Sequence, residues 1–114
     1  MTIREIIKNF QVEVRDTDLQ PDRAAEILSK CAAVFGNVND EIRERGMIYN
    51  KKLLEILDSE KSVARAKVIA ECSEEYDNYL QAKNTKEALT ELIRSLKYFL
   101  NAKKDEYTTS QFQN

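Results

Sequence analysis

The chain has 114 residues, 18 basic and 20 acidic, for a net charge of −2; it is one domain in size and has no global field to attract phosphate backbones or acidic lipids. Two glycines and one proline leave little material for the turns of a β-rich fold, whereas 33 % charged and 42 % apolar residues suit long amphipathic helices. The absence of histidine removes the commonest general base and the usual ligand of helical-bundle metal sites.

Thr2 followed by Glu5 forms a capping box, and Ile3, Ile6, Ile7, Phe10 and Val14 share one helical face, predicting a short helix over about 3–14. The segment "MTIREIIKNFQVEV" places Arg4, Glu5 and Lys8 among its apolar residues, so it reads as neither a signal-peptide core nor a membrane span. A cytoplasmic protein is expected. Pro21 falls where a second helix can begin, because a first-turn N–H has no intrahelical acceptor. From about 22 to 57, Ala24, Leu28, Cys31, Phe35, Val38, Ile42, Tyr49, Leu53 and Ile56 hold one stripe, interrupted in composition by Gly36 and Gly46.

"DSEKS" breaks the pattern, and Ser62 is a plausible cap for a second arm over about 62–104. This arm carries Ala66, Ile69, Cys72, Tyr76, Tyr79 and Leu80 on one face, then Ala88, Leu89, Leu92, Ile93, Leu96, Phe99 and Leu100 on another. The two faces differ by roughly 150° at 100° per residue, so an irregularity is expected near Asn84, which could cap a new helix with Glu87 in the box position. The polar stretch 108–114 reads as a disordered tail of this single helical domain.

Folded as an antiparallel hairpin about 58–61, the arms pair residues whose numbers sum to about 119, which sets Gly46 beside Ser73 and Phe35 and Gly36 beside Asn84 and Lys83. Cys31 and Cys72, both on apolar stripes, read as two small buried hydrophobes about 24 Å apart along the axis, beyond disulfide reach. The first helix should return over one end of the hairpin, making a three-helix base and leaving a two-helix tip. Met47, Ile48, Leu54, Val63 and Val68 would be partly exposed at that tip, a candidate surface for self-association or a protein partner.

Catalytic patterns are missing: there is no Gly-rich phosphate loop, nucleophile elbow or CxxC, so no enzyme activity and no cofactor are expected. In "ECSEEYD" the acids Glu71, Glu74, Glu75 and Asp77 spread around a helix, so they do not converge on a metal. Tyr76 and Tyr79, with Arg65, Lys67 and Lys83 on nearby turns, could stack and neutralise single-stranded nucleic acid. The neighbouring acids and the stripe position of both tyrosines favour a core role instead.

Tyr49 with Lys52, then Ser62, Ala64, Ala66, Tyr76 and the closing "ELIRSLKYFL" of residues 91–100 resemble a recurring type of small helical protein encoded in bacteriophages and prophages. The resemblance covers about 40–104 and implies an intracellular accessory protein without assigned catalysis, sometimes found near genes for DNA recombination and replication. It leaves three functions to weigh: an oligomeric scaffold or adapter, an accessory that touches single-stranded nucleic acid, and a small inhibitor of a host protein.

Overall fold

Capping chemistry sets the start of each short helix. In the computed structural model, which describes the backbone of residues 1–112 and the side chains of 1–108, helix α1 spans Ile3–Asp16. The Thr2 hydroxyl accepts from the Glu5 N–H at 3.2 Å while the Glu5 carboxylate accepts from the Thr2 N–H at 3.3 Å, so two otherwise unpaired donors are satisfied reciprocally. At the other end the Thr17 hydroxyl donates to the Glu13 carbonyl at 2.6 Å. Helix α2, Pro21–Ser59, opens on the proline as expected and runs unbroken for 39 residues through both glycines, a length of about 58 Å.

Ser62 caps helix α3, Val63–Glu71, accepting from the Arg65 N–H at 3.3 Å. The second arm then breaks at Cys72–Ser73 and not at Asn84. The N–H groups of Cys72 and Ser73 reach back three residues, to Ile69 and Ala70, a tightened last turn. Ser73 also serves the next helix: its hydroxyl donates to the Ala70 carbonyl and accepts from the Tyr76 N–H. Helix α4 follows, Glu74–Phe112. Glu74, Glu75 and Asp77 fill its first turn, where negative charge is favoured by the helix dipole. Residues 108–112 of the expected tail carry helical backbone, and 113–114 lie outside the described residues.

The chain is all-α among the described residues, with α2 and α4 packed against each other and α1 and α3 against them. By its contacts it divides into two compact units: one of residues 1–35 with 87 onward, the other of 36–86. The first buries Ile7 of α1, Ala24, Ile27 and Cys31 of α2, and Leu89, Leu92 and Leu96 of α4. These three segments form the expected three-helix base. In the second unit the buried residues are Val38, Tyr49, Ala66, Ala70, Ala82 and Thr85. Small side chains dominate that core.

Asn84 and Thr85 lie inside an uninterrupted helix because the burial of Ala82, Thr85 and Leu89 around them outweighs the modest helix propensity of the pair. Asn84 is exposed, whereas Thr85 is buried with its hydroxyl donating to the Gln81 carbonyl at 2.9 Å, the back-bond that lets threonine sit within a helix. The expected change of face takes a gradual form. Within residues 36–86, Tyr76, Tyr79, Ala82 and Thr85 are inward at successive steps of three, each turning the contact line by about 60°; in the other unit Leu89, Leu92 and Leu96 are the buried positions of α4.

The predicted pairing within residues 36–86 is also displaced. Gly46 lies against Tyr79, not Ser73, and Tyr49 against Tyr76, so the paired numbers sum to 125. The helix ends at Ser59 and Val63 place the turn later than 58–61, and the tightened step at Cys72–Ser73 shifts the pairing further.

Candidate functional site

Within residues 36–86, α2 turns one face to α4 and leaves its back in water. Tyr49 marks the inward direction, being almost fully buried. Met47 and Leu54, seven residues apart, agree in direction to about 20° and point about 140–160° away from Tyr49. They are exposed to 65 % and 63 % respectively. Ile48 stands about 100° from Tyr49, on a flank with Asn37, Asp40, Glu41, Glu44 and Arg45, which together line a shallow groove. Val63 and Val68, exposed to 70 % and 62 %, lie about 140° apart around α3.

The five residues predicted as a partner surface are therefore all solvent-facing, but they divide among several directions. Met47 and Leu54 come together; Ile48 lies to one side, and the two valines diverge. Ile69 and Leu80 join the exposed apolar residues of this unit. Sequence periodicity assigned both to a buried stripe; the inward line instead runs through Ala66 and Ala70 of α3 and Tyr79 and Ala82 of α4, and each residue stands about 100° from its inward neighbour, Ile69 from Ala70 and Leu80 from Tyr79.

The tyrosines form a cluster. Tyr49 and Tyr76 have ring centroids 5.1 Å apart with planes tilted by 52°, and Tyr49 stacks on Tyr79 at 5.9 Å with planes 15° apart. Such offset and tilted pairs add about 0.5–1.5 kcal/mol beyond area burial. The Lys83 ammonium sits over the Tyr79 ring, 4.6 Å from its centroid, a cation–π contact. Beside the cluster Lys52 Nζ approaches Glu75 Oε2 at 3.9 Å, an oxygen out of solvent and without a hydrogen bond among the described residues. Burial pushes the Tyr49 phenol above its ordinary pKa, and the nearby Glu71 carboxylate adds to the shift, so the ring stays neutral at physiological pH.

Of the residues considered for nucleic acid, Tyr76, Tyr79 and Lys83 come together but are engaged with one another and with Tyr49. Arg65 and Lys67 lie on α3, and Arg65 approaches Glu60 at 3.7 Å. A nucleobase stacking on Tyr79 would have to displace Tyr49 or Lys83. Sequence reasoning left Tyr49, the centre of this cluster, on the apolar stripe without a tyrosine partner; the signal was the shared ring chemistry of Tyr49, Tyr76 and Tyr79 on facing arms.

Both cysteines are free thiols. Cys31 is buried as expected, and burial raises its pKa, leaving it poor in thiolate. Cys72 departs from expectation: at the step between α3 and α4 it is exposed, because the end of α3 turns its side chain off the packed face. Among the described residues no group of three His, Cys, Asp or Glu side chains could hold a metal ion, and no helix is long and apolar enough to cross a membrane.

Comparison of the chain with family models, curated proteins and solved structures gives no match.

Proposed function

We propose that this chain is a non-enzymatic helical interaction protein that presents the outer surfaces of residues 36–86 to a protein partner or to a second copy of itself. One observation carries the reading: this unit keeps Met47, Ile48, Leu54, Val63 and Val68 at least half exposed, while its buried core consists of Val38, three alanines, a threonine and Tyr49. Covering apolar surface is worth about 25 cal/mol per Å², and in this unit much of that stabilisation is still unused. The engaged tyrosine cluster argues against single-stranded nucleic acid as the partner.

The sequence resemblance to phage and prophage accessory proteins supports an adapter or a host-protein inhibitor working in the cytoplasm. Light scattering over a concentration series, with wild type beside Ile48→Lys and Leu54→Lys, tests the reading. Self-association or partner binding that both charges weaken is the expected result. A strict monomer whose partner binding survives both substitutions would sink it.

A further inference from the structure

The attachment of α1 lies in the other unit and is organised around one residue. The Arg23 guanidinium donates to both carboxylate oxygens of Glu13, at 2.6 and 2.8 Å; it lies 5.9 Å from the centroid of the Phe10 ring and reaches Glu26 at 3.0 Å. These contacts fix an antiparallel register in which residues of α1 and α2 at one level have numbers summing to between 33 and 36. Ile7 then lies at the level of Ile27 and Ile3 near that of Cys31. Below α1 the lining is fully buried: Ala24, Ile27 and Cys31 of α2 with Leu89, Leu92 and Leu96 of α4.

The helix that covers this lining is lightly held. Of its apolar stripe Ile7 is fully buried, while Ile3, Ile6, Phe10 and Val14 are half-buried. Fourteen residues are too few for a stable helix in water, so α1 owes its structure to the groove. Its connection is the short link 17–20, ended by Pro21.

We propose that this groove is a helix-exchange site, occupied either by its own α1 or by α1 of a second copy, so that two chains form a two-fold dimer by trading α1. The groove selects a helix with an apolar stripe at spacings of three and four and a carboxylate one turn beyond an aromatic ring. A second copy supplies that pattern by identity. Every contact made within the chain is remade between chains, which is why exchange of an identical element costs little. The site is separate from the apolar residues of 36–86.

A charge-swap pair tests it. Glu13→Arg alone sets two guanidinium groups at the anchor, and Arg23→Glu alone sets two carboxylates there. In a dimer of one of each, exchange restores opposite charges at both anchors. The variants are refolded separately and together at low salt and weighed by native mass spectrometry. The mixture should hold a one-to-one heterodimer roughly tenfold more populated than either homodimer, the effect of a charged hydrogen-bonded pair. Folded variants that mix without forming it would overturn the proposal.

Should either variant fail to fold, deletion of Asp18 and Leu19 from the wild-type chain decides the matter, because a link that short cannot let α1 turn back on its own α2. A dimer with unreactive Cys31 is expected; a monomer with reactive Cys31 rejects the exchange. Dimers formed through residues 36–86 would instead appear in every sample and be removed by Ile48→Lys.

Discussion

Gly46 packs directly on the ring of Tyr79: a Cβ added there would stand 3.1 Å from Tyr79 Cε1 and 3.5 Å from Cζ. The ring has little freedom to yield, since it stacks on Tyr49 and carries Lys83 over its face. Gly46→Ala therefore sets a helix-propensity gain of about 1 kcal/mol against crowding worth about 1–3 kcal/mol. A net loss of about 1 kcal/mol is expected, seen as a lowered midpoint in urea unfolding.

Gly36 gives the opposite result. Nothing lies within 4 Å of a Cβ built on it, and its φ is negative. Gly36→Ala should stabilise the chain by about 1 kcal/mol, raising the thermal midpoint by about 4 °C. A fall in midpoint would mean that the glycine serves a close approach absent from the free chain.

Ser73 and Asn84 exchange the roles that local sequence suggests for them. Ser73→Ala removes both the cap on the Tyr76 N–H and the hydroxyl bond to Ala70 and should cost about 1 kcal/mol. Asn84→Ala replaces an exposed residue inside an uninterrupted helix and should add about 0.5 kcal/mol of stability. Chemical denaturation of the two variants settles where the second arm breaks, for a capping asparagine would give a loss on removal.

Acid should loosen the α1 anchor. The Arg23 hydrogen bonds hold the Glu13 carboxyl below its ordinary range, and Lys30 and Arg23 do the same for Glu26. A carboxyl whose pKa is lowered on folding stabilises fully above its unfolded pKa, about 4.3, and loses that contribution as pH falls through the lower folded value. Thermal midpoints should thus decline from about pH 4 downward, and Glu13→Gln should flatten that decline. Equal acid sensitivity in wild type and Glu13→Gln would remove the anchor from the account.

The two thiols should react in sequence. Exposed Cys72 is open to an aromatic disulfide reagent at once, while buried Cys31, with its raised pKa, waits for an opening of its own unit. Two phases of equal amplitude are expected, the fast one lost in Cys72→Ser. A single fast phase would place Cys31 at the surface.

Caps and faces that rest on local chemistry were readable from the residues: Thr2 with Glu5, Pro21 and Ser62 all act where their spacing placed them. Harder to read was the contact line through Ala82 and Thr85, because a methyl group and a hydroxyl-bearing side chain leave gaps in an apolar pattern that burial fills. Ser73 resembled any polar residue until its two hydrogen bonds were seen, and Cys72 looked apolar on a stripe that the step takes out of phase. For the candidate surface, Met47, Ile48, Leu54, Val63 and Val68 are exposed as expected from their positions off the stripes. Their division among directions follows from spacing around each helix, but which direction is inward needed the buried Tyr49 and its pairing with Tyr76 and Tyr79, which sums of residue numbers placed about six residues away.

Residues 36–86 form one uninterrupted stretch, while the other unit joins the chain's first 35 residues to those from 87 onward. One unit is thus nested in the sequence of the other, and the chain passes between them within helices and not through loops. Gly46 and Tyr79 of the nested stretch lie 33 residues apart in sequence, and in the outer unit Glu13 and Arg23 lie 10 apart, whereas its α2 and α4 segments are separated by the whole nested stretch. Zipping of the inner hairpin from 60–62 would shorten the loop that the α2 and α4 segments of the outer unit have to close. A lesion in the inner stretch, such as Ser73→Ala, should therefore slow the burial of Cys31 in the outer unit, read as a slower loss of its thiol reactivity during refolding.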